Sequence, residues 1–111
     1  MVIREERIGD VVILRPSGRM TVETFGSVKE AVRSGVDEGA RRIVLNLQDV
    51  PYADSIGIAE LIRAHTMLRL RGGTLRLCSL SRSVEQLLTV SGLSSVLDLH
   101  HTETAALKTW P

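Results

Sequence analysis

Short apolar runs and longer stretches of helical spacing alternate along the 111-residue chain. Residues 2–8 and 11–15 have the pattern of two strands joined at Gly9-Asp10, a turn in which glycine readily supplies a positive φ. Residues 43–47 form an almost continuous apolar run, typical of a central strand covered on both faces. Two more strands are predicted, TLRLCSL at 74–80 and VLDLH at 96–100. The pattern therefore predicts a five-stranded sheet.

Four helices are predicted between and after these strands. Apolar residues recur at steps of three and four from Thr21 to about Glu38, namely Val22, Phe25, Val28, Val32 and Val36. The others run from about Ser55 to Arg71, from Val84 to about Val90 with Ser81 or Ser83 as cap, and through residues 102–110 with Thr102 as cap. The order ββαβαβαβα predicts one α/β domain over residues 1–111, a mixed, mostly parallel sheet with about four helices packed on it.

The helix that begins near Ser55 has two distinct sides at 100° per residue. One side should face the sheet: Ile58, Leu61, Ile62, His65 and Leu68. The other side should face outward: Ile56, Glu60, Arg63, Met67 and Leu70. An outer helix face is normally polar, but here apolar residues interrupt the charges. Either these are scattered surface residues, or they form a partner-binding surface beside Ser55.

Composition and charge narrow the function classes. Apolar residues make up 43% and charged residues 24%, as in ordinary globular domains. With 14 Lys and Arg against 13 Asp and Glu, the chain lacks the positive excess of a nucleic-acid binder. The lone Cys78 favours a reducing cytoplasm. No apolar run approaches the roughly 20 residues of a membrane helix, and the charged N-terminal residues have no signal-peptide core. We expect a cytoplasmic protein that binds neither nucleic acid nor membrane.

The segment VPYADSIGIAELI, residues 50–62, leads from a buried strand into a helix. In parallel sheets, ligands and partners are met at the carboxyl ends of strands. Asp54 or Ser55 could cap the helix, although Ile58 stands where a capping box needs Glu or Gln. Alternatively, Ser55 could be phosphorylated, because unpaired N–H groups at a helix start tolerate a phosphate. The residues alone leave both interpretations open.

The sequence gives little support for a hydrolase, metal, thiol or cofactor site. His65 lies ten residues along the same helix from Ser55, about 15 Å, too far for a hydrolase pair; we predict a core or boundary histidine. Histidines 100 and 101, with Asp98 and Glu103, match no metal-ligand spacing. Cys78 is predicted to be a small buried side chain. Without a phosphate-binding loop, we expect no cofactor, no metal and no enzyme activity. Because no titratable groups converge, a small-molecule sensor or enzyme using the strand-end crevice is the weakest alternative.

Two stretches carry a family resemblance, IVLNLQDVPYADSIGIAEL (43–61) and RGGTLRLCSLSRSVEQLLTVSGL (71–93). They resemble the STAS domain of bacterial anti-anti-sigma factors, also called anti-sigma factor antagonists. The likeness extends from about Val11 to Leu107. Its most specific parts are the junction Asp54-Ser55-Ile56-Gly57 and the later Ser91-Gly92-Leu93.

The resemblance implies a phosphorylation switch in transcription regulation. A partner serine kinase, itself the anti-sigma factor, would phosphorylate Ser55, and a serine phosphatase would reset it. The unphosphorylated protein would bind the kinase and release the sigma factor, acting as a monomer or weak homodimer. Gly57 would permit close approach of a partner or a loop. The expected partner-binding residues are Thr21, Glu23, Asp54, Ser55, Ile56, Gly57, Glu60, Arg63 and Met67.

Two departures from the family pattern leave a second hypothesis open. Many members have a second serine where this chain has Ile56. The segment Gly18-Arg19-Met20 is usually followed by Asp, whereas Thr21 is neutral, so an acidic contact is either absent or supplied by Glu23. A constitutive scaffold subunit of a stress-signalling or lipid-transport complex, which is not phosphorylated, would fit these features.

Overall fold

The computed structural model describes residues 1–110 and contains five strands and four α-helices in the predicted order ββαβαβαβα. Their bounds are β1 Val2–Ile8, β2 Val11–Ser17, α1 Ser27–Asp37, β3 Arg42–Asn46, α2 Ser55–Leu70, β4 Thr74–Cys78, α3 Arg82–Val90, β5 Asp98–His100 and α4 Glu103–Lys108. Short 3-10 turns occupy Val22–Thr24 and Leu93–Ser95. The predicted α/β fold is confirmed.

The five strands form one sheet in the order β1-β2-β3-β4-β5. β1 is antiparallel to β2, and all other neighbouring pairs are parallel. Helices α1, α2 and α3 pack on one face of the sheet, while α4 packs on the other. Ile43, Val44 and Leu45 in β3 are fully buried, which confirms the prediction of a central strand covered on both faces. The carboxyl ends of four parallel strands therefore share one edge, as the site prediction requires.

The first helix begins later than predicted. α1 starts at Ser27, because Gly26 adopts a left-handed φ of 95° that interrupts helical geometry. Thr21 instead caps the 3-10 turn by accepting a hydrogen bond from the Glu23 N–H. Val22 and Phe25 satisfied the helical spacing, but their side chains are 65% and 50% exposed. The prediction that the helix starts at Thr21 is wrong, and two apolar side chains lie at the surface.

Helix α4 is fastened to the sheet by Glu103. Its carboxylate accepts hydrogen bonds from Asn46 Nδ2 at 2.8 Å and from the Arg15 guanidinium. Burial alone would raise the pKa of Glu103, but these bonds lower it below its ordinary value. On the same face Cys78 is buried, as predicted, and burial raises the pKa of its thiol.

Glu103 therefore does not join the histidines near the end of the chain. His100 Nε2 lies 2.9 Å from Asp98 Oδ1 instead. Within residues 1–110, no group of three or more His, Cys, Asp or Glu side chains is arranged to hold a metal ion. No helix in that range has the length and apolar character needed to cross a membrane.

Candidate functional site

The segment after β3 is paired with the segment after β2. Gly18 N–H donates to the Asp49 carbonyl at 3.0 Å, and Met20 N–H donates to the Tyr52 carbonyl at the same distance. Asp54 N–H then donates back to the Met20 carbonyl at 3.2 Å. These bonds extend the parallel pairing beyond the regular strands and hold the start of α2 at the carboxyl edge of the sheet.

Asp54 is the cap of α2, and Ser55 is not. Asp54 Oδ1 accepts hydrogen bonds from the N–H groups of Ile56 and Gly57, both at 3.0 Å. Ser55 is exposed, and its hydroxyl makes no hydrogen bond to any residue of the described chain. Asp54 thus performs the structural task and leaves the Ser55 hydroxyl available.

This arrangement corrects one part of the phosphorylation hypothesis. We expected unpaired N–H groups at the helix start to let the fold tolerate a phosphate, but two of these groups are already bonded to Asp54. A phosphate on Ser55 would also lie next to the Asp54 carboxylate. Because Ser55 is exposed and Asp54 would repel the phosphate, the phosphate would lie on the outer surface of the domain, where an approaching protein would meet its charge.

Gly57 makes room for the chain's own loop. A Cβ atom at this position would lie 2.2 Å from the carbonyl oxygen of Met20, far inside contact distance. Of the two alternatives expected at Gly57, the close approach is therefore by a loop. Because Gly57 is buried, it supports the site from beneath, and its predicted role as a partner contact is wrong.

Glu60 has a role that the sequence did not indicate. Its side chain is 1% exposed, so the prediction that it lies on an outer contact face is wrong. Its two carboxylate oxygens accept hydrogen bonds from Gly26 N–H at 3.1 Å and Lys29 N–H at 2.9 Å. Since Gly26 has no side chain to cap α1, Glu60 of α2 supplies the cap from another helix.

The loop that leads into α1 is thereby held against α2. Part of this side of α2 is covered because α1 packs against the helix, whereas Ile56, Arg63 and Leu70 on the same side are exposed. Met67 is partly exposed and packs against the core, and its contact with a partner stays a prediction.

Exposed apolar and aromatic side chains surround Ser55. Ile56 and Tyr52 are each 39% exposed, beside the more exposed Val22 and Phe25. Arg19 stacks over the Tyr52 ring at 4.7 Å, and Arg63 lies over the Phe25 ring at 5.9 Å. We call Val22, Phe25, Tyr52 and Ile56 the apolar rim. Of these four residues, only Ile56 was predicted as a contact. Gly26, a residue type that disfavours helix, was the sequence signal that Val22 and Phe25 lie outside α1.

Two clefts adjoin the apolar rim. Thr21 and Glu23 line one of them together with Asp54 and Tyr52, so these two predicted contacts do lie near the site. The other is an apolar groove of about 360 Å³ between α2 and α3. Ser55 and Arg63 lie among its lining residues, as does Ser91 from the Ser91-Gly92-Leu93 motif. The structure therefore brings together Thr21, Glu23, Asp54, Ser55, Ile56 and Arg63.

A family model described as the STAS domain matches residues 3–106. The chain belongs to the STAS domain family. It is 29% identical to the anti-sigma F factor antagonist of Paenibacillus polymyxa, over 95% of this chain and 91% of that protein. It is 28% identical to the anti-sigma-B factor antagonist of Bacillus subtilis strain 168, over 75% of each chain.

Solved structures show the same fold. An anti-sigma factor antagonist from Mycobacterium paratuberculosis superposes with a TM-score of 0.85 at 20% identity, over 96% of this chain and 91% of that one. The Bacillus cell fate determinant SpoIIAA in its phosphorylated form gives a TM-score of 0.71 at 19% identity, over 96% and 97%. The STAS resemblance inferred from the two stretches is confirmed.

Proposed function

We propose that this protein is an anti-sigma factor antagonist that binds an anti-sigma serine kinase and is switched off by phosphorylation of Ser55. The observation that carries the proposal is an exposed Ser55 hydroxyl, freed from helix capping by Asp54. The names of the relatives from Paenibacillus polymyxa and Bacillus subtilis support the regulatory role. SpoIIAA, which has the same fold, exists in phosphorylated and unphosphorylated forms.

The modification needs only a reachable nucleophile from this chain. Ser55 Oγ attacks the γ-phosphorus of ATP held by the kinase, a new O–P bond forms, and the bond to the ADP oxygen breaks. The hydroxyl proton passes to a base on the kinase. A serine phosphatase reverses the change by hydrolysis, which returns the hydroxyl and releases inorganic phosphate.

The added phosphate acts on binding through its position among apolar side chains. It adds about −1.5 to −2 charges at neutral pH. A kinase that covers Ile56 and Tyr52 would have to bury this charge against apolar surface, which is strongly unfavourable without a compensating partner. The neighbouring Asp54 carboxylate adds repulsion. The unphosphorylated protein therefore binds, and the phosphorylated protein does not.

The proposed contact surface is the apolar rim together with the polar groups beside it. The polar members are Thr21, Glu23, Asp54, Ser55 and Arg63. Glu60 and Gly57 act beneath the surface by holding its loops in place. Glu23 is exposed beside Asp54 and supplies the acidic contact that the neutral Thr21 lacks.

Binding and intact-mass measurements with the anti-sigma kinase encoded nearest this gene test the switch. Wild type and Ser55→Ala should bind with equal Kd, while Ser55→Asp should bind at least about tenfold more weakly, as expected when charge enters a contact patch. Of these three proteins, only wild type should gain a phosphate after incubation with ATP. The exposed Ser94→Ala variant is the matched control and should behave as wild type.

Two results would contradict the proposal. Equal binding by Ser55→Asp and Ser55→Ala would exclude a charge-operated switch. Stable binding without any gain in mass would favour the constitutive scaffold subunit.

A further inference from the structure

A third cleft lies at the opposite end of α2 from Ser55. It has a volume of about 600 Å³ and lies between the last turns of α2, the start of β4 and the start of β5. Its polar lining comes from His65, Arg69, Thr74, Ser95 and Asp98. This is the amino edge of the parallel strands, whereas Ser55 follows a carboxyl edge. The volume falls in the range of small-molecule sites.

His65 is the unusual side chain of this cleft. It is 8% exposed, and its Nδ1 atom is buried without a hydrogen-bond partner in the described residues. Burial, followed by the charge of Arg69, lowers the pKa of the imidazole. His65 is therefore neutral at pH 7, and in this form one ring nitrogen is a donor and the other an acceptor. Buried polar groups in proteins are nearly always paired, so this ring lacks a partner that it normally needs.

The charges around the cleft leave a positive excess. Asp98 is compensated, because Arg76 Nε lies 3.2 Å from one of its oxygens and His100 Nε2 lies 2.9 Å from the other. The Arg69 guanidinium has no hydrogen-bond or ion-pair partner within residues 1–110, and the Thr74 hydroxyl has none either. Arginine presents its N–H groups in a planar fork that matches an oxyanion.

Backbone groups of α2 do not compete for these donors. The carbonyl of Leu68 accepts hydrogen bonds from Arg71 and Gly73, and the carbonyl of Arg69 accepts one from Gly72. Two of the last carbonyls of α2 are thus already paired. The donors that remain in the cleft are those of Arg69 and Thr74 and, on the His65 ring, Nε2, because the Nδ1 atom is buried.

We propose that this cleft is a binding site for a small oxyanion, a carboxylate or a phosphate, held by Arg69 with His65 and Thr74 as additional donors. The site is independent of Ser55, which lies ten residues from His65, about 15 Å along the helix. It is also independent of the proposed kinase switch.

NMR titration of the intact, isotope-labelled protein tests the site. Sodium phosphate and sodium acetate are added separately at pH 7, and sodium chloride at equal ionic strength is the control for screening. Saturable shifts of the His65 ring signals and of the Thr74 and Ser95 amides are expected with phosphate, with acetate, or with both. The salt that saturates at lower concentration identifies the preferred oxyanion.

Two variants make the result decisive. Arg69→Gln should weaken binding about tenfold, since a charge-assisted hydrogen bond is lost, and Arg69 is exposed, so the fold should persist. Arg71→Gln removes a neighbouring exposed arginine that does not line the cleft and should bind as wild type. Shifts that also occur with chloride, that never saturate, or that are unchanged in Arg69→Gln would overturn the proposal.

Discussion

Two helices on the same face of the sheet begin in different ways. α2 is capped by its own preceding residue, since Asp54 accepts hydrogen bonds from Ile56 and Gly57. α1 begins after Gly26, which has no side chain, and Glu60 of α2 caps it from a distance of more than 30 residues in sequence. The local cap leaves Ser55 free for modification, while the borrowed cap fixes the loop that carries Val22 and Phe25. The two caps thus position different halves of one surface.

Replacing Gly57 should have the largest effect on stability, because this residue lets the segment that carries Met20 pack against the start of α2. In Gly57→Ala the new Cβ would collide with the Met20 carbonyl, and we expect a loss of about 3 kcal/mol in the free energy of unfolding. Urea denaturation measures this. Gly35→Ala is the matched control, because its Cβ would lie 3.4 Å from Ile43 Cδ1 and 3.9 Å from Ala40 Cβ, both ordinary contact distances. That variant should be neutral or slightly stabilised; an equal loss in both would contradict the steric explanation.

Removing the borrowed cap should have the next largest effect. Glu60→Ala leaves the N–H groups of Gly26 and Lys29 without their acceptors, and we expect a loss of about 2–3 kcal/mol. Hydrogen exchange should become faster at Lys29. Glu60→Gln keeps one oxygen acceptor and should lose about half as much. The exposed Glu85→Ala should change stability by less than about 0.5 kcal/mol; a similar value for Glu60→Ala would contradict the capping role.

Removing the Asp54 cap of α2 should lower the free energy of unfolding by less than removing the Glu60 cap of α1. Asp54→Ala is expected to lower the free energy of unfolding by about 1 kcal/mol, whereas Asp54→Asn retains a good capping oxygen and should be close to wild type. Thermal denaturation of the three proteins under the same conditions makes the comparison. If Asp54→Ala proved as destabilised as Glu60→Ala, the contrast between the two helix starts would be lost.

Ser55 should contribute least to stability. Because Asp54 caps α2, Ser55→Ala should change the free energy of unfolding by no more than about 0.5 kcal/mol. Urea denaturation beside Asp54→Ala is the measurement. A loss as large as that of Asp54→Ala would mean that the hydroxyl shares the capping task.

The local features of the fold could be read from the sequence. The Gly9-Asp10 turn, the buried run in β3 and the start of α2 at Ser55 each depend on neighbouring residues, and all three are confirmed. The helix predicted from apolar periodicity was wrong at Val22 and Phe25. Their helical spacing arose by chance in a loop that Gly26 separates from α1.

The site was predicted where its determinants are local and missed where they are distant. Asp54, Ser55 and Ile56 follow one another in the chain and were identified. Glu60 was predicted to face solvent because the 100° spacing places it opposite the sheet-facing residues, but the segment that begins α1 covers it. Its partners are backbone N–H groups at residues 26 and 29, and backbone groups carry no sequence signal of what they bind.

The single tryptophan gives this molecule a built-in optical reporter. Trp110 packs beside α4 with the Arg76 guanidinium 4.1 Å from its ring centroid, on the sheet face away from the helices that present Ser55. Its fluorescence should follow detachment of α4 and global unfolding, yet stay unchanged if the proposed kinase docks at the other face. Any emission change that accompanies docking can then be assigned to tryptophans of the kinase.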